Sequence, residues 1–218
     1  MSQLFIDIET IATSSPEVRQ YVGKHIRPPG NIKKPESIEK WWKEEAPALI
    51  DESVQKTALD GAFGQVVCFG FATVKTEPEC FASLDEPSLL FRIAKVLNTT
   101  YSEWGLTTQI VGHNVHWDCR FLYQRFIVNK IDPPEVLRRA IKSKPWDQMV
   151  FDTMIEWAGT KDRVSLDKLC MALGVKSPKN GIDGSMVGEY IKAGKINEVA
   201  VYCADDVRAV KEIHERLK

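Results

Sequence analysis

In this chain, strand-like apolar runs come first and then alternate with stretches of helical spacing, an order that admits few architectures. The first run, "FIDIET", places Leu4, Ile6 and Ile8 at a period of two. "GQVVCFGFATV" is nearly continuous in apolar residues and reads as a buried strand, with "ECFAS" as its shorter neighbour. "TQIVGHN" reads as a further strand, and "QMVFDTMIEWA" as a strand or a helix start. Between them, "PSLLFRIAKVLNTTYSEW" and "HWDCRFLYQRFIVNK" have helical spacing, the second with Phe121, Leu122, Phe126 and Ile127 inward. "SLDKLCMALGV" is a short helix stopped by Gly174. From Ile196 to Leu217 the stripe Ile196, Val199, Cys203, Val207, Val210, Ile213 and Leu217 predicts one long amphipathic helix. The pattern predicts an α/β domain, a mixed central sheet covered by helices, spanning 1–218 with an insertion-like segment at about 12–60.

That segment holds a turn at Pro28–Gly30 and then "KKPESIEKWWKEEAP", read as a helix from about Pro35 to Ala46 closed by Pro47. Between Lys24 and Glu44 six Lys/Arg face three Glu, with Trp41 and Trp42 among them. Two readings stand side by side: a helix over the domain surface with one Trp buried, and a nucleic-acid contact.

The net charge of −1 excludes a strongly basic nucleic-acid coat protein, yet leaves room for an enzyme that grips a few phosphates locally. The run Arg120–Lys144 carries seven basic residues against Asp132 and Glu135, a local excess suited to guiding a strand backbone. Five scattered cysteines, none in a Cys-x-x-Cys pair, predict reduced thiols in a cytoplasmic protein and argue against a zinc site. No apolar run approaches ~18 residues, so no membrane contact is expected.

Strands are depleted in acids, yet "FIDIET" carries Asp7 and Glu9 two apart, on one face beside Phe5. Alone, the pair fits an edge strand turned to water as well as it fits a cation site. Asp118 in "VGHNVHWDC" lies where a strand end passes into a helix, a position that also suits a helix-start acid. In "YCADDVRAV", Tyr202 and Asp206 are four apart and share one helix face, on the flank of the apolar stripe. Asp205 is turned ~100° away, nearer to solvent. Four carboxylates without Cys or His form a hard, oxygen-rich donor set that suits Mg²⁺ or Mn²⁺.

"FIDIET", "VGHNVHWDCRFL" and "YCADDV" together resemble the three motifs of the DEDD 3′→5′ exonucleases, which have a ribonuclease H-like fold. Tyr202-x-x-x-Asp206 resembles the branch that uses tyrosine where the other uses histidine. With "ALDGAFGQVVCFGFA" and "GIDGSMVGEYIKAGKINEVAVYCADDV", the chain resembles the predicted exonucleases related to the proofreading domain of family B DNA polymerases. It departs at Trp117, where those domains usually have Phe, and in its Asn114-x-x-x-Asp118 spacing, which is similar to ribonuclease D or bacterial proofreading subunits.

The resemblance implies a two-metal 3′→5′ exonuclease acting on nucleic acid, with DNA favoured over RNA. By the same resemblance Asp7, Glu9 and Asp206 hold one of two divalent cations, Mg²⁺ or Mn²⁺. Asp7 also reaches the second, and Asp118 supports it. Tyr202 orients the attacking water. Thr10, Ile11, His113, Asn114 and Trp117 are the expected contacts to the terminal nucleotide. Asp152 in "FDTM" is expected to cap a helix. An RNA exonuclease and a non-catalytic binding module of the same fold remain the alternatives.

Overall fold

The computed structural model describes residues 2–144, 147–178 and 181–218. Its elements run β1 (Ser2–Ile11), α1 (Pro16–His25), α2 (Pro35–Glu44), α3 (Ala46–Lys56), β2 (Gln65–Thr73), β3 (Glu79–Ala82) and α4 (Glu86–Trp104). They continue with β4 (Thr108–Gly112), α5 (Val115–Val128), α6 (Glu135–Ala140), β5 (Val150–Asp152), α7 (Thr153–Ala158), α8 (Leu166–Leu173), α9 (Val187–Lys192) and α10 (Ile196–Leu217). Residues up to Thr10 together with Val66–Lys218 form one compact unit, and Ile11–Gln65 form a second.

The larger unit is built on a five-stranded mixed sheet of order β3-β2-β1-β4-β5. β1 runs parallel to β4 and β4 parallel to β5, while β2 and β3 are antiparallel. The strand bearing Asp7 and Glu9 is therefore the middle one, which removes the edge-strand explanation of its acids. One face of β1 buries Leu4, Ile6 and Ile8 against α4 and α5 residues such as Leu89, Ile93 and Leu122. The other face buries Phe5 with Val207 and Val210 of α10. "QMVFDTMIEWA" supplies both of the alternatives read for it, β5 and then α7.

α10 has the bounds that its stripe predicts, and Val199, Cys203, Val207, Val210 and Ile213 are buried. It crosses β2 so closely that a Cβ on Gly70 would lie 2.9 Å from both Cys203 Sγ and Val207 Cγ2. Close approach thus explains a glycine in mid-strand. In α5 the inward residues are Val115, Cys119, Leu122 and Phe126, with Phe121 also buried. Ile127, expected inward, is 51% exposed, because it lies ~100° from Phe126 around the helix. Arg125 leaves the basic run as well. It is buried and donates Nη2 to Glu86 Oε2 at 2.7 Å, and Glu86 also accepts from the Val66 N–H. Arg138 is paired with Asp132.

In the smaller unit α3 packs against both α1 and α2. Ser15 caps α1 by accepting the Val18 N–H, and Pro16 occupies its first turn. α1 has no buried residue, so no apolar stripe marks it in the sequence. Pro47, expected to close a helix, sits in the first turn of α3, directly after α2 ends. Trp41 is buried and Trp42 is exposed.

Candidate functional site

The ladder of β1 with β4 pairs Ser2–Phe5 with Thr108–Val111, and β4 ends at Gly112. Asp7 and Glu9 therefore project past the paired stretch, at the carboxyl ends of the parallel strands, where α/β sheets open their clefts. α10 lies over the same face, with Val207 and Val210 on Phe5. That contact fixes the rotation of the helix and turns its flank toward the acids. Carboxylate oxygens of Asp7, Glu9 and Asp206 all lie within 4.8 Å of one another. Glu9, Asp118 and Asp206 are buried, and Asp7 is partly exposed. Asp118, in the first turn of α5, accepts the backbone N–H of Ile8, which ties it to β1 between the other two acids.

The charges oppose one another. Burial, and then the charges of Asp206, Glu9 and Asp118, push Asp7 well above the ordinary carboxylate range. Burial and then Asp206 and Asp118 do the same to Glu9. Asp118 is also pushed up, by burial first, against the backbone N–H groups that it accepts. Cys203 donates to Asp7 Oδ2 at 3.4 Å. Burial, the neighbouring Cys80 sulfur and the Asp7 charge keep that thiol protonated and able to donate. Burial and the charges of Asp206, Glu9 and Asp7, with a hydrogen bond to Asp206, push the Tyr202 hydroxyl far above its ordinary range. A closely spaced set of carboxylate oxygens in such a setting fits a hard divalent cation, which would turn their repulsion into attraction.

Around this cluster lies a turn that sequence reasoning saw only in part. Asp152, 2% exposed, caps α7 through Met154 N. Its Oδ1 also accepts the Asn114 N–H at 2.8 Å, and its Oδ2 lies 3.2 Å from His116 Nδ1. Burial alone would raise its pKa, but the donors from His116 and from the Asn114 and His116 backbone hold it below the ordinary value. Asp152 thus fixes residues 114–116, from which α5 and Asp118 start. Asn114 there adopts the left-handed conformation, φ 59° and ψ 28°. Replacing Asp152 by Ala strands several part-buried donors and is expected to cost about 3 kcal/mol, read by urea unfolding.

The expected nucleotide contacts fare unequally. Thr10 and Ile11 end β1 and are partly exposed, as are Asn114 and Trp117. Trp117 packs beside Phe121, ring centroids 5.1 Å apart. His113 Nε2 lies 2.9 Å from the Val164 carbonyl and Nδ1 2.9 Å from Thr153 Oγ1. Both ring nitrogens thus have partners within the fold. A cavity of about 340 Å³ opens beside Tyr202, lined by Pro178, Ile182, Asn197 and Val201 among others. Asp205 lines the same cavity and pairs with Arg208.

The model of a family described as "Predicted 3'-5' exonuclease related to the exonuclease domain of PolB" matches residues 63–210. That span includes Asp118, Tyr202 and Asp206 and leaves out Asp7 and Glu9. Among solved structures, the chain is similar to the family B DNA polymerase from the hyperthermophilic archaeon Pyrobaculum calidifontis. The TM-score is 0.61 at 17% identity, over 100% of this chain and 24% of that one. The likeness shows the fold, the ribonuclease H-like α/β architecture with a mixed sheet. No curated protein matches the sequence. Among the described residues, no helix is long and apolar enough to cross a membrane.

Proposed function

Because the chain belongs to the family of predicted 3′→5′ exonucleases related to the exonuclease domain of PolB, we propose that it hydrolyses phosphodiester bonds from the 3′ end of DNA. The substrate is single-stranded or frayed, and the products are nucleoside 5′-monophosphates. One observation carries the proposal: the carboxylate oxygens of Asp7, Glu9 and Asp206 gather within 4.8 Å of one another, with Tyr202 one helical turn before Asp206.

Asp7, Glu9 and Asp206 would hold one divalent cation, and Asp7 with Asp118 a second, either Mg²⁺ or Mn²⁺. When bound, such a pair lowers the pKa of a water and stabilises charge on the leaving 3′-oxygen. The side chains supply position. Tyr202 stays protonated, because burial and three neighbouring carboxylates hold its proton, so it orients the attacking water by hydrogen bonding and does not serve as the base. Asp206, bonded to that hydroxyl, sets where the phenol points. The Cys203 thiol fixes one oxygen of Asp7. Asp152 holds the turn that carries Asp118 in place. Thr10, Ile11, Asn114 and Trp117 contact the terminal nucleotide. The free thiols suit the reducing cytoplasm, where we place the enzyme.

Removing the Tyr202 hydroxyl leaves all four carboxylates in place. Tyr202→Phe is therefore expected to lower kcat by about a hundredfold with KM nearly unchanged, measured by single-turnover and steady-state digestion. The proposed activity is tested on 5′-labelled single strands of DNA and RNA of one sequence, with Mg²⁺ or Mn²⁺ and with EDTA. A ladder shortening from the 3′ end of DNA, abolished by EDTA, supports it. A ladder on RNA alone makes RNA the substrate. Intact strands under every condition, with binding retained, leave a non-catalytic module.

A further inference from the structure

The unit formed by Ile11–Gln65 lies almost wholly outside the span matched by the exonuclease family, which begins at residue 63. It carries an open groove of about 640 Å³, lined by Arg19, Gln20, Lys24, Arg27, Trp42 and Ile50 among others. With the exonuclease reading supplying the class of polymer, we propose that this groove binds single-stranded nucleic acid. One base stacks on Trp42, and Lys24 and Arg27 hold the adjoining phosphates.

The two tryptophans divide the work. Trp41 is 2% exposed, and its ring meets that of Trp42 edge-on, centroids 5.2 Å apart at 79°. Trp42, braced in this way, is 39% exposed and borders the groove. A large aromatic ring left in water has a hydrophobic cost, and a flat ring beside cations is the platform on which unpaired bases stack. Among the described residues, no acid lines the groove. Arg19 is already paired with Asp51 at 2.5 Å, so its charge is answered within the unit. Among the described residues, neither Lys24 nor Arg27 has an acidic partner. Arg27 Nη1 donates to the carbonyls of Lys24 and Ile26, which holds the guanidinium close to Lys24. Two cations next to an exposed ring match the repeat of a single strand, base beside phosphate. Duplex bases are already stacked on each other and offer no face to Trp42.

The test is fluorescence anisotropy with 5′-fluorescein oligothymidylate in EDTA, where no cleavage occurs, on the full chain. Trp42→Ala is expected to weaken Kd about tenfold, and Trp42→Phe to restore most of that loss. Lys24→Gln with Arg27→Gln is expected to weaken Kd and to flatten the slope of log Kd against log salt by roughly 1.4, for two phosphates at about 0.7 each. An unchanged Kd and slope in these variants would overturn the groove. So would a duplex or oligoglutamate that competes as well as a single strand. The two proposals fail separately. Digestion that proceeds while the groove variants bind normally condemns the groove alone, and groove-dependent binding without digestion condemns the exonuclease alone.

Discussion

Asp7→Asn is expected to reduce 3′→5′ digestion by about a thousandfold, roughly 4 kcal/mol of transition-state stabilisation, and to make the metal-free protein more stable than wild type. The two effects have opposite signs for one reason. Without a cation, ionised Asp7 faces Asp206, Glu9 and Asp118 in a buried setting that already disfavours charge. The amide keeps an acceptor for the Cys203 thiol and removes the repulsion. With a cation, the same charge is the ligand that both proposed ions share. The melting temperature in EDTA should therefore rise by about 2–4 °C for each kcal/mol gained, while activity collapses. A variant that is less stable in EDTA and still digests DNA would show that Asp7 is an ordinary structural acid.

The second large effect is in pH and metal together. Asp7, Glu9 and Asp118 are all held above their ordinary range in the folded protein. Between the unfolded values near 4 and the raised folded values, the folded state binds more protons than the unfolded one. Metal-free stability is therefore full below about pH 4, as far as these groups are concerned, and declines as pH rises through the folded range. Mn²⁺ binds the ionised carboxylates, so its stabilisation grows over the same interval. At a hundredfold excess over Kd it amounts to about 2.7 kcal/mol. Thermal melts from pH 4 to 8, with EDTA and with Mn²⁺, should diverge as pH rises. Parallel curves would mean that the carboxylates neither repel one another nor bind the ion.

Much of this was legible from residue type and spacing. The α10 stripe gave both helix ends, because seven apolar residues at steps of three and four have one solution. The convergence of Asp7, Glu9 and Asp206 was legible only through the three motifs taken together, since no single strand or helix pattern says which element will cross which. What escaped is long-range. Asp152 could be read as a cap on α7, but its bonds to Asn114 and His116 come from β4 and β5 lying side by side. Cys203 reads in the sequence as one residue of the α10 apolar stripe, and its place over Gly70 puts its sulfur on Asp7. Arg125 belonged to a basic run in the sequence, yet the buried Glu86 39 positions away claims it. The contacts of His113 with Thr153 and Val164 join segments 40 and 51 positions away, which no local pattern announces.

The measurement to make first counts Mn²⁺ bound per chain, from the loss of the free-ion electron paramagnetic resonance signal. Wild type is compared with the Asp7→Asn and Asp206→Asn double variant at pH 7.5. Two ions per wild-type chain, and no saturable binding in a double variant that keeps its circular dichroism, are expected if the acids of β1, α5 and α10 form one metal centre. Equal binding by both proteins would contradict that centre and with it the proposed chemistry.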